Sequence, residues 1–493
     1  MDIVIKKFNA TYNLIETDAS VDQDIYDYFT FKVPNYEFMR RKNPRLKHWS
    51  GDIHLYSKRT KKLYVGLTAR LEEFARDRQL TVQYEAPTDV EFSAKEATDF
   101  IKTLNLPEDK MPRYYQFKAF VQAVRKRRLL VLSPTASGKS LLLYMLIRYY
   151  LTQSSFLKGR PHLILLVVPT VNLIHQMIDD FKSYGWEEAD RVIHSIYQGQ
   201  PKSAQGKQVY VSTWQSIYKE EDEWFNFDTV ICDEVHHAQA DSIRRIMEAS
   251  EESYNRIGCT GTLSDTATHR LILEGLFGEV YEATRTQELI KEGHLADLKV
   301  KCIILKHGLD SAKSVSFMEY DEESEFISLN QARNRFIQNL ALSLPDNTLI
   351  LFKLVDKHGK ILYEQMKGMT DRPVHLIYGG VDGEERDNIR RILTKESNSI
   401  LFGSYGCCST GINIPSLKNI IFAFPYKSRI KVLQSIGRGL RLSEGKENCT
   451  VFDIADDLTW RGKANITLGH FNERVRLYYE QDFNPKLYRV DLK

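Results

Sequence analysis

Ser133-Pro134-Thr135-Ala136-Ser137-Gly138-Lys139-Ser140 organises the chain around it. An apolar run, 129–132, precedes this octapeptide, and a helix-like run, 141–150, follows it. Strand, small-residue loop and helix together make a phosphate cradle, because an anion needs backbone N–H donors that can come close. Gly138 has no Cβ to block that approach. The helix opening near Lys139 turns the positive end of its dipole toward the anion. Lys139 adds a point charge for the β and γ phosphates, and the Ser140 hydroxyl can ligate Mg²⁺. Ser133 stands where a first glycine is usual, but Thr135, Ala136 and Ser137 are small enough for the loop to form.

A second segment supplies what the cradle lacks. Asp233-Glu234-Val235-His236 follows the apolar run 230–232. Asp233 is placed to hold the Mg²⁺ ion, directly or through water, and Glu234 to orient and polarise an attacking water. The two segments are the minimum for binding Mg-ATP and attacking its terminal phosphate.

At 493 residues the chain has room for about three domains. Hydrophobic content of 42% against 27% charged residues fits domains with real cores rather than disorder. A net charge of +3 excludes nothing, but its distribution is uneven. Nine basic residues (Arg40, Arg41, Lys42, Arg45, Lys47, Lys58, Arg59, Lys61 and Lys62) share residues 40–62 with a single acid, Asp52. A solvated basic face is the plain reading, and contact with a phosphate backbone is the functional one. Tyr36, Phe38, Trp49 and Tyr56 lie among these cations and could stack on bases, although a small apolar core explains each of them singly. The six cysteines form no Cys-x-x-Cys pair, so buried reduced thiols and no zinc site are expected. No leader and no apolar run of membrane-spanning length is seen, and a cytoplasmic location is expected.

Alternation of short apolar runs with helical periodicity divides the chain. Residues 1–90 read as a small basic α+β module that binds nucleic acid, with strand-like segments at 53–56 and 63–65 joined by a basic turn and a helix over 68–78. Residues 91–283 carry strand candidates at 129–132, 163–168, 209–212, 230–232 and 256–259, the pattern of a mostly parallel sheet. The cradle, the acidic pair and Thr260-Gly261-Thr262 all follow strand candidates, where ligands of such sheets bind. The alternation restarts over 284–457 with candidates at 300–305, 348–352, 374–377, 400–402, 420–424 and 450–452, but with no second cradle. Residues 458–493 read as a short helical extension. No sequence repeat is visible.

Gln434-Ser435-Ile436-Gly437-Arg438-Gly439-Leu440-Arg441 lies late in the second α/β region. Arg438 and Arg441 are three apart, so one helical face could present both guanidiniums to a transferring phosphoryl group. A solvated basic helix end is the alternative.

In this order the segments resemble the motifs of superfamily 2 DExH helicases over about 350 residues. Arg113-Tyr114-Tyr115-Gln116 resembles the adenine-reading motif, 133–140 the phosphate loop, 169–173 and 212–215 the two strand-contacting motifs, and 233–236 the acidic box. Thr260-Gly261-Thr262, 349–353, 409–415 and 434–441 resemble the later motifs, and 288–296 resembles a linker of type I restriction motors. The resemblance implies two tandem RecA-like domains and an ATP- and Mg²⁺-dependent motor. It implies roles for Gln116 and Arg113 at the nucleotide, for Gln434, Arg438 and Arg441 at the γ-phosphate, and for His236, Thr260 and Thr262 in coupling. Thr170, Thr213 and Thr410 would touch a DNA strand, and the resemblance implies branched or forked DNA in recombination, replication or repair. Spacing and composition alone reach only an ATPase with two α/β lobes. An RNA helicase, a strand-annealing or junction-binding protein regulated by ATP, and the motor of a restriction complex remain as alternatives.

Overall fold

The computed structural model describes residues 2–34, 36–84, 90–155, 159–237, 240–263, 267–408, 416–442 and 446–492. These form two compact units, one of Met1–Ser133 and Gly138–Ala283, the other of Pro134–Ser137 and Thr284–Lys493. Each unit is built on a seven-stranded parallel sheet.

In the first unit the strand order is Ile193–Ile196, Val209–Thr213, Ile164–Val168, Thr229–Cys232, Asn255–Thr260, Arg128–Leu132, Val280–Glu282. The central strands are buried along their whole length and mostly apolar, as a sheet covered on both faces requires, with Asn255 and Arg256 as buried polar exceptions in the strand Asn255–Thr260. One face packs under the helices Tyr114–Lys126, Lys139–Leu151 and Val171–Ser183, where Phe120, Leu143, Tyr144, Ile147 and Phe181 are buried. Numbered by their order along the chain, the strands run 3-4-2-5-6-1-7 across this sheet.

The second unit repeats that order. Its strands lie as Val374–Ile377, Ile400–Ser404, Thr348–Phe352, Asn419–Phe422, Asn448–Asp457, Asp297–Lys306, Lys486–Asp491, again 3-4-2-5-6-1-7. The expected helix near the end is present as Ile466–Glu480, but a strand follows it and pairs with Asp297–Lys306 from Lys301↔Lys486 to Lys306↔Asp491. The segment after residue 457 therefore completes the sheet. The helix is held to the sheet by Arg474, which is buried and forms a two-pronged ion pair with Asp453 at 2.7 and 2.8 Å. The edge strand escaped sequence reading because its residues are mostly exposed and give no apolar alternation.

The N-terminal module has a five-stranded sheet, ordered Tyr56–Ser57, Lys62–Tyr64, Tyr12–Thr17, Ile3–Lys7, Val82–Tyr84. The helix Thr68–Asp77 stands where expected, but the expected strand 53–56 is split: Asp52–His54 pairs with Thr30–Lys32 in a separate two-stranded sheet, and only Tyr56–Ser57 forms the hairpin with Lys62–Tyr64. The strands Ile3–Lys7 and Tyr12–Thr17 and the helix Ala19–Tyr28 were not anticipated. The module shares its core with the second face of the neighbouring parallel sheet, so that Ile5, Tyr56, Leu67 and Phe74 join one cluster with Leu130, Val167, Ile246 and Phe277. Polar clamps surround that core. Glu248 accepts from the hydroxyls of Tyr12 and Tyr64 at 2.7 and 2.6 Å, and Arg70 pairs with the nearly buried Glu274 at 3.0 Å. At Gly66 a Cβ would stand 2.0 Å from the Glu274 carbonyl oxygen, so only glycine allows this approach. Among the described residues no helix is long and apolar enough to cross a membrane.

Candidate nucleotide site

The loop at 133–138 leaves the strand Arg128–Leu132 and enters the helix Lys139–Leu151 through left-handed backbone at Ala136 (φ +67°) and Gly138 (φ +77°). A Cβ at Gly138 would meet Gln116 Nε2 at 2.5 Å, so the cradle needs glycine on two grounds. Gln116 is buried at the start of the helix Tyr114–Lys126. Its amide nitrogen donates to the Gly138 carbonyl at 3.0 Å, and its oxygen accepts from the Arg113 N–H at 2.7 Å. Gln116 therefore braces the loop from behind.

Lys139 Nζ lies 3.1 Å from Glu234 Oε1 and donates to the Ser133 carbonyl at 3.2 Å. Burial alone would lower the lysine pKa, but Glu234 and Asp233 outweigh it and hold the ammonium above its ordinary value. Glu234 has φ +47°, a strained conformation for a residue with a side chain. That backbone turns its carboxylate back toward Lys139. Its N–H donates to Asp233 Oδ1 at 2.9 Å. Burial, reinforced by the Glu234 charge, pushes the Asp233 carboxyl well up.

The same Glu234 reaches the threonine turn. Its Oε2 accepts from the Gly261 N–H at 3.3 Å and lies 3.3 Å from His236 Nδ1. His236 Nδ1 is 2.6 Å from the Thr260 hydroxyl, which donates to the Thr262 carbonyl at 2.7 Å. Since that hydroxyl already donates, the pattern assigns the proton to Nδ1 of the histidine. Lys139, Glu234, His236, Thr260 and Thr262 thus form one continuous polar chain.

The oxygens at hand fit Mg²⁺. Asp233 offers a half-buried carboxylate and Ser140 a hydroxyl, the hard donors this ion takes alongside phosphate oxygens and water. Among the described residues no cluster of three or more acidic, histidine or cysteine side chains is placed to hold a metal. Sequence reading missed the partner of Ser140. Tyr184, just past the helix Val171–Ser183, brings its hydroxyl to 2.9 Å from Ser140 Oγ. Burial pushes that phenol up to about 12. No local pattern announces a pairing across 44 residues.

The other expected residues are more scattered. Thr170 caps the helix Val171–Ser183, half-buried. Thr213 is buried at the end of its strand, and its hydroxyl shares a 2.9 Å hydrogen bond with Ser216. Thr410 lies outside the described residues, with the rest of 409–415. Gln434 and Arg438 lie in the helix Arg429–Gly439 of the second unit. Arg441 lies beyond it, so the two arginines do not share a helical face. Gly439 packs where a Cβ would stand 2.6 Å from Cys449 Sγ, and the Leu440 carbonyl is claimed by the Ala296 N–H, so the chain turns away there.

Of the basic residues, Arg40 and Arg41 are exposed on the helix Tyr36–Lys42, which also contains Lys42, and Arg59 is exposed on the hairpin turn. Lys61 is instead structural. It pairs at 2.8 Å with Asp22, a buried carboxylate that also accepts from Tyr56. Lys62 lies 3.9 Å over the ring of Phe8, and Lys58 donates to Gln23 at 2.5 Å. Tyr56 is buried and belongs to the core.

A tandem pair of parallel sheets, one bearing a phosphate loop, an acidic box and a threonine turn wired together, is the core of a superfamily 2 helicase. The family described as "Type III restriction enzyme, res subunit" matches residues 109–265. The chain is 30% identical to the ATP-dependent DNA helicase UvsW of Enterobacteria phage T4, over 100% of both sequences. It therefore belongs to the UvsW family of helicases. The crystal structure of T4 UvsW matches over 100% of both chains with a TM-score of 0.52 and 28% identity. The putative mitochondrial ATP-dependent helicase Irc3 of Schizosaccharomyces pombe is 27% identical over 53% of this chain and 45% of its own. An HsdR fragment of a type I restriction enzyme from Vibrio vulnificus shares the fold at 19% identity, with a TM-score of 0.57 over 87% of this chain and 83% of its own.

Proposed function

We propose that this protein is a DNA-dependent ATPase that moves along branched DNA (forks, four-way junctions and R-loops) in recombination, replication and repair. One observation carries the reading. Glu234 touches Lys139 on one side and His236 and Gly261 on the other, so the group that would activate water is wired to the turn that would respond to hydrolysis.

Glu234 orients a water on the γ-phosphorus and receives its proton as the bond to the β–γ bridging oxygen breaks. Lys139 and the backbone N–H groups of the cradle balance the phosphate charge. Mg²⁺, held by Asp233 and Ser140, would screen the phosphate oxygens. Arg438 and Arg441 stabilise the charge that develops on the transferring phosphoryl group. Thr170 at a helix start, Thr213 at a strand end, and Thr410 grip the strand by its phosphates, contacts that carry no sequence information and so suit a motor. Arg40, Arg41, Lys42 and Arg59 add affinity for duplex arms. The T4 relative, named as a DNA helicase and aligned from end to end, favours DNA over RNA.

The test is ATP turnover with fork, four-way junction, R-loop, single-stranded DNA and RNA. Stimulation by branched DNA well above single-stranded DNA and RNA is expected, and equal or greater stimulation by RNA overturns the reading. Arg438→Ala and Arg441→Ala should each slow turnover by about 10³ while nucleotide still binds.

A further inference from the structure

Ser140 has a task that its own side chain cannot complete. To offer a lone pair to Mg²⁺, a hydroxyl must direct its proton elsewhere, and the direction of that proton decides whether the lone pair faces the ion. The phenolic oxygen of Tyr184 is 2.9 Å from Ser140 Oγ.

Tyr184 is held firmly. Its ring meets Tyr144 edge-on at 5.3 Å, and Tyr144 lies one helical turn beyond Ser140 on the same helix. Tyr144 also meets Phe181 at 5.7 Å and Trp186 at 6.0 Å, while Arg148 lies over both Tyr144 and Trp186. Tyr184, Tyr144, Phe181 and Trp186 are all buried. This aromatic cluster locks the end of the helix Val171–Ser183 against the phosphate-loop helix. The phenol oxygen is therefore fixed in place beside Ser140 Oγ rather than mobile.

We propose that Tyr184 is a positioning residue for the nucleotide site, taking the Ser140 hydroxyl proton so that the Ser140 oxygen faces the Mg²⁺ of a bound Mg–nucleotide. The proposal rests on the reading of Ser140 as an Mg²⁺ ligand. It adds that this ligand is oriented from outside the loop, by the helix that begins at Thr170.

The test is binding of a fluorescent ADP to the full chain, with Mg²⁺ and with EDTA. Wild type should bind more tightly when Mg²⁺ is present. Tyr184→Phe, which keeps the ring and its packing, should lose about fivefold of that Mg²⁺-dependent gain and leave EDTA binding unchanged. In a Ser140→Ala background, Tyr184→Phe should have no further effect. An undiminished gain in Tyr184→Phe overturns the proposal. So does an equal loss with and without Mg²⁺, which would mark a packing role, or a loss that simply adds to that of Ser140→Ala. If wild type itself shows no Mg²⁺-dependent gain, the reading of Ser140 falls, and the proposal with it.

Discussion

The two parallel sheets have the same strand order, yet they treat charge at the ends of their strands in opposite ways. In the first, strand one leads into the phosphate loop, and Lys139 stands at the start of the helix that follows. Its carboxylate partners remain partly accessible and strained, as the left-handed Glu234 shows. In the second, strand one leads to His307, whose Nε2 is 2.9 Å from Asp456 on strand six. Arg333, near the start of the helix that leads to strand two, donates to both oxygens of Asp456 at 2.8 and 2.9 Å. All three side chains are buried. The first sheet leaves its Lys139–Glu234 pair partly accessible, whereas the second closes its carboxylate and both of its cations off from solvent. A duplicated topology therefore does not imply a duplicated charge environment at the strand ends.

The contrast can be broken by substitution. The largest effect is expected at Asp456→Ala, which leaves Arg333 buried without a counter-charge and should cost about 3–5 kcal/mol in denaturant unfolding. A loss below 1 kcal/mol would mean that this cluster is no structural plug. Next comes Glu234→Gln, expected to slow ATP turnover by about 10²–10⁴ with little change in melting temperature. Unwinding that survives this substitution would remove the motor reading.

Smaller effects sharpen the same division within the basic hairpin. Lys61→Ala should lower stability by about 1 kcal/mol, because it strips the cation from Asp22. Arg59→Ala should change stability by less than about 0.5 kcal/mol yet flatten the salt dependence of DNA binding. Equal behaviour of the two variants would erase the distinction between structural and binding cations.

The pH dependence of Asp22 runs in a defined direction. Burial would raise its pKa, but hydrogen bonds from Lys61 and Tyr56 outweigh it and lower the carboxyl below its unfolded value. Its contribution is therefore present above the ordinary carboxylate range and is lost as pH falls through the lowered pKa. Asp22→Asn should reduce the acid dependence of unfolding, and an unchanged acid limb would contradict the ion pair.

Much of this was legible without coordinates. The mostly apolar runs 129–132, 163–168, 230–232 and 256–259 fall on the strands Arg128–Leu132, Ile164–Val168, Thr229–Cys232 and Asn255–Thr260 because a sheet buried on both faces needs near-continuous hydrophobic segments, and those announce themselves. Gly138, Lys139, Asp233 and Glu234 were legible because phosphate chemistry restricts residue type at fixed spacing within a single turn. Only the tertiary structure could show that Lys486–Asp491 is a sheet edge, that Lys61 belongs to Asp22, that His307 and Arg333 converge on Asp456, and that Tyr184 stands behind Ser140. The physical reason is common to all four. Local spacing encodes backbone conformation and loop chemistry, whereas a hydrogen bond or ion pair between residues dozens of positions apart exists only after packing has brought them together.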